Sequence, residues 1–367
     1  MNKFPTIGIL GGGQLAQMLA LDGYPLGLRF VFFDPTEDAC AGLVGDLMVA
    51  EYDNEMALEE FAKKCDFVTY DFENVPVEAA EFVSKKTNIF PHPNVLEIAQ
   101  DRLKEKVLFR EQLDLPVGDF YTVDSYSELV FAAKSCENDG FLKTRRMGYD
   151  GKGQHRITDN TDLKSMWEKL DGGSFILEKA VHFKREVSVI LARNLKGEIL
   201  CYELCENKHK QGILTTTLVP AVESKNSLMA FDYAKKIATA LNYVGILTVE
   251  MFETDEGLFI NEMAPRVHNS GHWSIEGAVT SQFENHLRAG IGLPLGSTDM
   301  SQGYSAMINW IGEIPNVALT SKEKDVHWHI YGKQNRTGRK VGHSTVVADN
   351  TQELHTKVVH LAKLLGA

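Results

Sequence analysis

Two short β-rich runs constrain this chain most: Thr248 to Phe252 and Leu258 to Met263, separated by Glu253, Thr254, Asp255, Glu256 and Gly257. Alternating runs around an acidic, glycine-ended connection read as an antiparallel hairpin. Pairing about Glu256 sets Glu250 opposite Glu262, and the even spacing keeps both carboxylates on one sheet face. Two like charges so placed repel unless a cation sits between them. Magnesium is the expected ion, since carboxylate and phosphate oxygens are its usual ligands and it seldom has an all-protein cage; manganese accepts the same donors. The alternative is an exposed acidic hairpin. Beyond it, Asn261 to Trp273 crowds Glu262, Arg266, His268, Asn269, Ser270 and His272 onto one strand exit, which is more polar than a structural strand end requires.

The chain opens as a βαβ unit. Thr6 to Leu10 reads as a strand, Gly11 to Gly13 as a turn, Gln14 to Leu21 as a helix, and Leu28 to Phe33 as a second buried strand ending at Asp34. Phe67 to Phe72 repeats the strand signal and Val77 to Lys86 continues as a helix, which favours a parallel, doubly wound first domain to about residue 100. Asp101 to Leu113 reads as a charged amphipathic helix ended by Pro116. From there the pattern is α+β: strands around Phe120 to Val123, Gly140 to Thr144, His155 to Ile157, Phe175 to Glu178, Glu186 to Ala192 and Leu214 to Pro220, then a helix from Ser227 to Leu241 and the acidic hairpin. After Gly303 come strands at Ala306 to Ile311, His327 to Tyr331 and His343 to Val347. A last helix follows, with Asn350 as N-cap, Glu353 at N3 and Gly366 past its end.

At 367 residues, 44% apolar and 24% charged, the chain has the composition of a globular protein with two or three domains. A net charge of −12 opposes general binding to nucleic acid or anionic membranes, so an anionic ligand has to be met by local cations. The five cysteines are odd in number and lack zinc-type spacing, which suits reduced thiols. Met1 to Leu10 lacks the features of a signal peptide and no apolar run reaches membrane-spanning length. A cytoplasmic location is the expectation.

Gly11, Gly13 and Ala16 fit G-x-G-x-x-A after a strand, with Asp34 near the place of a ribose-binding acid. This raises a dinucleotide site, although a tight structural turn needs the same small residues. The segment Arg145 to Gln154 is a basic, glycine-rich turn with Lys143 on the strand that enters it, which suits a mobile phosphate cover or else a solvated hairpin tip. Glu178, Lys179, Ala180 and Val181 form a short hinge whose backbone can read adenine. Glu186 can accept from ribose hydroxyls or make a surface ion pair. Tyr331 to His343 gathers Lys333, Arg336, Arg339 and Lys340 into a loop that suits a phosphate monoester or remains a solvated turn. His327 and His329 read as surface or core residues, since no third metal ligand accompanies them.

Taken in order, strand-GGGQLAQM, DFENVP, FLKTRRMGYDGKGQ, ILEKAV, ENKHKQGIL, TVEMF, INEMAPRVHNSGHW and GRKVGH resemble the ATP-grasp family of 5-(carboxyamino)imidazole ribonucleotide synthases over nearly the whole chain. The resemblance implies an α/β and α+β ATP-grasp fold. Its parts would be a Rossmann-like domain over 1–100, an ATP-grasp domain over 101–300 with a lid at about 120–180, and a small β-rich domain over 301–367. It implies ATP-dependent carboxylation of the 5-amino group of 5-aminoimidazole ribonucleotide by bicarbonate, through carboxyphosphate, in a homodimer. ATP would meet Arg102, Lys143, the lid residues Gly148, Tyr149, Asp150, Gly151, Lys152, Gly153 and Gln154, the hinge Glu178 to Val181, Glu186, His209, Asn261 and Glu262. Glu250 and Glu262 would hold magnesium. The ribonucleotide would meet Gln14, Tyr149, Asp150, Arg266, His268, Asn269 and Ser270, with its phosphate near Lys333, Arg339 and Lys340. Arg266, His268 and Lys143 would carry the chemistry. Met147 departs from a glycine often found before Gly148. The competing readings are another ATP-grasp carboxylate ligase, such as a biotin carboxylase relative or the formate-dependent glycinamide ribonucleotide transformylase, and a non-catalytic dinucleotide-binding regulator.

Overall fold

Five parallel strands form the first sheet, in the order Asp46–Val49, Arg29–Asp34, Thr6–Leu10, Phe67–Tyr70, Asn88–Ile89. The computed structural model describes residues 4–146, 148, 153–170, 172–221, 225–316 and 325–365. Both faces of this sheet are covered, as a parallel sheet requires. Ile7 and Ile9 pack with Leu15, Met18 and Leu19 of the helix Gln14–Gly23, whereas Leu10 packs with Phe33, Phe61 and Tyr70 on the opposite side. The helix Glu55–Lys64, which supplies Phe61, has Asn54 as its N-cap, whose side chain accepts from the Ala57 amide at 3.1 Å. Sequence reading placed no element between Asp34 and Phe67. The structure adds this helix and an edge strand of only four residues.

The glycine turn after the first strand is filled from within the protein. Asp71 Oδ2 accepts from the amides of Gly13 at 2.8 Å and Ala16 at 3.3 Å, and Asp34 Oδ2 accepts from Gly12 at 2.7 Å. Two carboxylates thus satisfy the donors that a dinucleotide pyrophosphate would use. Burial pushes the Asp71 carboxyl up to about 6.

The central sheet runs Leu258–Ala264, Gly245–Glu253, Arg185–Arg193, Cys205–Lys210, Ile213–Val219, Tyr304–Ile311, Lys340–Ala348, Val326–Ile330, antiparallel at every pairing, with Ile199–Cys201 beside Arg185–Arg193. The three C-terminal strands therefore extend this sheet, through Val219 opposite Ser305. One side packs on the helix Ser227–Ala240, and the other joins the first domain through Trp273, Phe283 and Leu287. Near the end of the chain, Asn350 Oδ1 accepts from the Glu353 amide at 2.9 Å as expected of an N-cap, while Glu353 Oε2 accepts from the amide of Asp349 at 3.1 Å, one residue before the N-cap amide that a capping box would use; Gly366 lies outside the described residues.

A third sheet, Phe120–Val123, Phe175–Lys179, Gly140–Thr144, Gln154–Ile157, is antiparallel and has its own core of Val123, Leu129, Leu142, Phe175 and Leu177. The expected helix from Asp101 to Leu113 is shorter in its α-form, Arg102–Val107, and continues as a wider π turn over Leu108–Gln112. Asp101 caps it, accepting from Leu103 at 3.0 Å, and also receives Arg145 at 2.7 Å.

Gly11 has φ +106°, and a Cβ there would lie 1.8 Å from Asp71 Oδ1. Gly11→Ala is therefore expected to lower unfolding stability by about 2 kcal/mol or more, from backbone strain plus overpacking. A urea midpoint equal to that of the parent chain would refute this account of the turn.

Candidate active site

The acidic hairpin of Gly245–Glu253 and Leu258–Ala264 carries the floor of a cleft of about 1150 Å³ lined from all three sheets. Its register runs Glu253 opposite Leu258, Phe252 opposite Phe259 and Met251 opposite Ile260; a bulge then intervenes, and Glu250 lies opposite Glu262. Asn261 is the extra residue. Without the bulge this turn would set Glu250 against Asn261 and send Glu262 to the far face, so the bulge re-aims the second carboxylate into the cleft. Asn261 also faces the cleft, while its carbonyl accepts from Lys106 Nζ at 2.5 Å.

Each carboxylate is held by one oxygen. Glu250 Oε1 lies 3.1 Å from His268 Nε2, and Glu262 Oε2 accepts from Arg102 Nη1 at 3.0 Å. Burial would raise the Glu250 carboxyl, but the His268 hydrogen bond and the positive charge contributed by His209 and Lys340 hold it well below the usual range. Among the described residues, Oε2 of Glu250 and Oε1 of Glu262 make no hydrogen bond, and no group of three or more His, Cys, Asp or Glu side chains could form a metal cage. Two carboxylates with one free oxygen each fit magnesium, which completes its shell with phosphate and water.

Next to them is a buried cluster of cations around one acid. Glu178 Oε2 lies 3.0 Å from Lys143 Nζ and 3.4 Å from Lys106 Nζ. Burial opposes the charge on Glu178, yet Lys106, Lys143 and Arg102 together bring its carboxyl down to about 2. Lys143 moves down from its ordinary value, because burial and the neighbouring charges of Arg102 and Lys106 outweigh the opposing pull of Glu178. Behind Glu262, burial and the Glu262 charge push Glu105 up to about 8 while its Oε1 accepts from the Met263 amide at 2.7 Å. Sequence reasoning missed Lys106 and Glu105. Lys106 stands four residues after Arg102 on the same helix face, a spacing that would have identified it.

The hinge differs from the expectation in one respect. Glu178 turns its side chain into the cation cluster, and the amides of Lys179 and Ala180 donate to Asp119 at 2.8 Å and Asp139 at 2.9 Å. The Ala180 amide is thereby occupied and Ala180 does not line the cleft, while Lys179 and Val181 do. Glu186 Oε2 and His209 Nδ1 are 2.5 Å apart on the same wall.

Opposite lies the anion-attracting wall. Lys333 Nζ donates to Gln14 Oε1 across the boundary between the first domain and the basic loop, and Arg336, Arg339 and Lys340 line the cleft beside it. Arg266 Nε is paired with Glu73 and its Nη1 donates to the Val267 carbonyl at 3.0 Å; Nη2 has no hydrogen-bond partner among the described residues. Glu73, in the DFENVP segment, is a further site residue that sequence reading left unassigned. Asn269 lines the cleft with its side chain bonded to Asn309, at 2.7 and 3.1 Å. Ser270 does not line it: its side chain is fully buried beneath His268, which corrects its assignment to the substrate. His329 bonds Glu276 at 2.8 Å and stacks on His343, His327 lies 4.0 Å from Glu276, and neither histidine lines the cleft. Gly148 and Gln154 line the cleft, and Gly153 accepts from the Thr144 amide at 3.0 Å. Met147, Tyr149, Asp150, Gly151 and Lys152 lie outside the described residues.

Opposed acids at a bulged strand end, with buried lysines over them and a hinge alongside, have the layout expected of an ATP-grasp enzyme. The ATP-grasp domain model matches residues 108–283, a ribonucleotide synthetase preATP-grasp domain matches 4–100, and a phosphoribosylaminoimidazole carboxylase C-terminal domain matches 305–357. The chain is 44% identical to the N5-carboxyaminoimidazole ribonucleotide synthase of Pseudomonas aeruginosa, over 98% of this chain and 99% of that protein. The structure of the N5-carboxyaminoimidazole ribonucleotide synthetase from Thermus thermophilus superimposes with a TM-score of 0.93 at 49% identity, covering 98% of each chain. An Aspergillus clavatus N5-carboxyaminoimidazole synthase, solved with ADP and 5-aminoimidazole ribonucleotide, gives 0.90 at 28% identity over the whole of both chains. The chain belongs to the N5-carboxyaminoimidazole ribonucleotide synthase family.

The Glu178 cluster has a pH signature. Its folded carboxyl is depressed to about 2 from an ordinary 4.5, so the stability it contributes is complete above about pH 4.5 and is lost as pH falls toward 2. Acid denaturation of Glu178→Gln, followed by circular dichroism, is expected to lose this component of the pH dependence and to begin from a lower stability at pH 7. An unchanged acid midpoint and stability would show that the lysines do not depend on Glu178.

Proposed function

We propose that this chain couples ATP hydrolysis to the joining of bicarbonate and the 5-amino group of 5-aminoimidazole ribonucleotide, giving 5-carboxyaminoimidazole ribonucleotide, ADP and phosphate for purine synthesis. The observation that carries this reading is one cleft with two differently built walls. A carboxylate and lysine wall suits a metal triphosphate, and a basic loop facing Arg266 and Glu73 suits a phosphorylated acceptor and an anion. Family membership and the ligands of the Aspergillus clavatus relative support the same assignment. The three matched segments serve as an acceptor-side domain, a nucleotide domain and a phosphate-binding C-terminal part. The chain is read as a cytoplasmic enzyme; among its described residues no helix is long and apolar enough to cross a membrane. A homodimer is the assembly that family resemblance suggests.

Bicarbonate is a poor electrophile because its carbon carries delocalised negative charge and hydroxide leaves badly. Attack of a bicarbonate oxygen on the γ-phosphorus breaks the bond to ADP and makes carboxyphosphate, with phosphate as a good leaving group. Lys143 and Arg102 offset charge on the transferring group, and Lys106 reinforces them. Glu250 and Glu262 would hold magnesium, which would supply positive charge to offset that of the phosphates. The free Nη2 of Arg266 is placed to receive the bicarbonate end, with Glu73 fixing the guanidinium plane. The amine nitrogen then attacks the carbonyl carbon of carboxyphosphate, or of carbon dioxide released from it; phosphate departs and the nitrogen loses a proton. His268 orients the reactants or takes part in that proton transfer. Val181, whose amide makes no hydrogen bond among the described residues, offers adenine a donor. Glu186 offers the ribose an acceptor.

Carboxyphosphate moves one bicarbonate oxygen to phosphate. Oxygen-18 bicarbonate, supplied with ATP and the ribonucleotide, is expected to label the released inorganic phosphate, read by mass spectrometry. Unlabelled phosphate would exclude this activation step, and turnover with glycinamide ribonucleotide and formate would install the transformylase reading instead.

On the opposite wall, Lys333→Ala is expected to weaken ribonucleotide binding by about 1.5 to 3 kcal/mol, the range for a charged hydrogen bond, with ATP affinity nearly unchanged. Calorimetric titration of each ligand checks this. Equal losses for both would move Lys333 out of the acceptor's phosphate site.

A further inference from the structure

His268 is gripped at both ring nitrogens. Its Nε2 lies 3.1 Å from Glu250 Oε1 at the cleft, while its Nδ1 receives the Ser270 amide at 3.3 Å and meets Ser270 Oγ at 2.9 Å. An amide N–H only donates, so Nδ1 is the accepting nitrogen and the Ser270 hydroxyl donates to it as well. The hydroxyl proton of Ser270 is thereby committed, and its oxygen accepts from Ser188 Oγ at 2.9 Å. Ser188 in turn accepts from Asn207 Nδ2 at 2.9 Å, and Asn207 Oδ1 accepts from Thr217 Oγ1 at 3.0 Å. The order of donors and acceptors is consistent along the whole chain.

This polar line crosses the middle of the central sheet. Ser188 lies directly opposite Glu250 in the strand register and Asn207 directly opposite Thr217. Ser270, Ser188 and Thr217 are fully buried and Asn207 is 4% exposed. Alanine or valine at these positions would fill a sheet interior without polar groups to satisfy, whereas a buried polar side chain left unpaired is destabilising. The four residues satisfy one another in series, and the series ends on His268. At the other end it stops inside the sheet at Thr217, so it has no outlet to water and serves to orient rather than to conduct protons.

The loop that carries His268 is held with similar care. Gln282 brackets its backbone, with Oε1 accepting from the His268 amide at 2.9 Å and Nε2 donating to its carbonyl at 2.7 Å. The backbone is thus placed by Gln282, and the ring needs its own anchor. We infer that Ser270, backed by Ser188, Asn207 and Thr217, is a positioning residue that fixes the His268 ring with its Nε2 edge against Glu250 and touches no substrate. This rests on the reading of the cleft as the carboxylation site.

Supporting groups of this kind act through the residue they orient, and their loss typically costs 10–100-fold where they support a metal site. Ser270→Ala is expected to lower kcat about tenfold or more while the KM for ATP stays within about twofold. Ser188→Ala, one link further back, is expected to show the same pattern with a smaller loss. The deciding comparison is a double-mutant cycle on ADP release, measured at high enzyme concentration. In a His268→Ala background neither serine substitution should cost any further activity. If Ser270→Ala lowers kcat by the same factor with and without His268, its role is structural and the inference is overturned. If Ser270→Ala and Ser188→Ala both keep full activity while His268→Ala loses it, the inference also fails and the site reading stands. If His268→Ala itself keeps full activity, the place of His268 in the reaction falls, and the inference falls with it. Should Ser270→Ala not fold, Ser188→Ala carries the same cycle alone.

Discussion

The bulge at Asn261 is the constraint on which the rest of the site depends. By adding one residue to the outer strand it brings Glu262 round to the face of Glu250, and the same irregularity turns the Asn261 carbonyl toward Lys106. Lys106 and Arg102 belong to a short helix from a distant part of the chain, and each is tied to this strand, one through the Asn261 carbonyl and one through Glu262. One local departure from strand pairing therefore sets the spacing between the acids and the cations above them. Bulges beside active sites commonly serve to re-aim a side chain in this way.

A chain with a net charge of −12 nevertheless builds a cleft for anions, and it does so by giving the cations internal counterparts. Glu178 stands between Lys106 and Lys143, Glu73 holds Arg266, and Gln14 meets Lys333. Each pairing lowers the cost of burying positive charge before a ligand arrives. It also fixes direction, since a guanidinium tied at Nε and Nη1 presents only its remaining edge. The two walls reach across all three sheets, so the cleft brings together parts of the chain with separate cores.

The glycine turn of the first domain shows how the same local signal can serve another end. Gly11 and Gly13 allow a close approach, but the group that approaches is the Asp71 carboxylate. The turn's amides are already satisfied, which removes the dinucleotide reading and leaves the loop to present Gln14 to the cleft. Asp34, placed as a ribose acid by its spacing, instead accepts from the Gly12 and Thr36 amides.

Local pattern was enough for much of the architecture. The parallel opening unit, the antiparallel centre, the acidic hairpin and the capped last helix follow from side-chain period, turn residues and caps, all of which act over a few residues. The pairing of Glu250 with Glu262 was also legible, although by a different route: symmetry about Glu256 names the right partners, while the real turn is offset and the bulge restores the match. Local pattern could not show which polar groups face the cleft and which are spent inside. Ser270 looks like a ligand contact in its motif and is buried under His268; Ala180 looks like hinge and gives its amide to Asp139; Asp71 and Glu73 look like a loop and become a turn anchor and an arginine clamp. These outcomes depend on contacts between residues far apart in the chain, such as Arg102 with Glu262 at a separation of 160. Short-range chemistry determined the elements and the kinds of side chain available. Only the packing of three sheets decided their partners, because hydrogen bonding and burial are settled by neighbours in space.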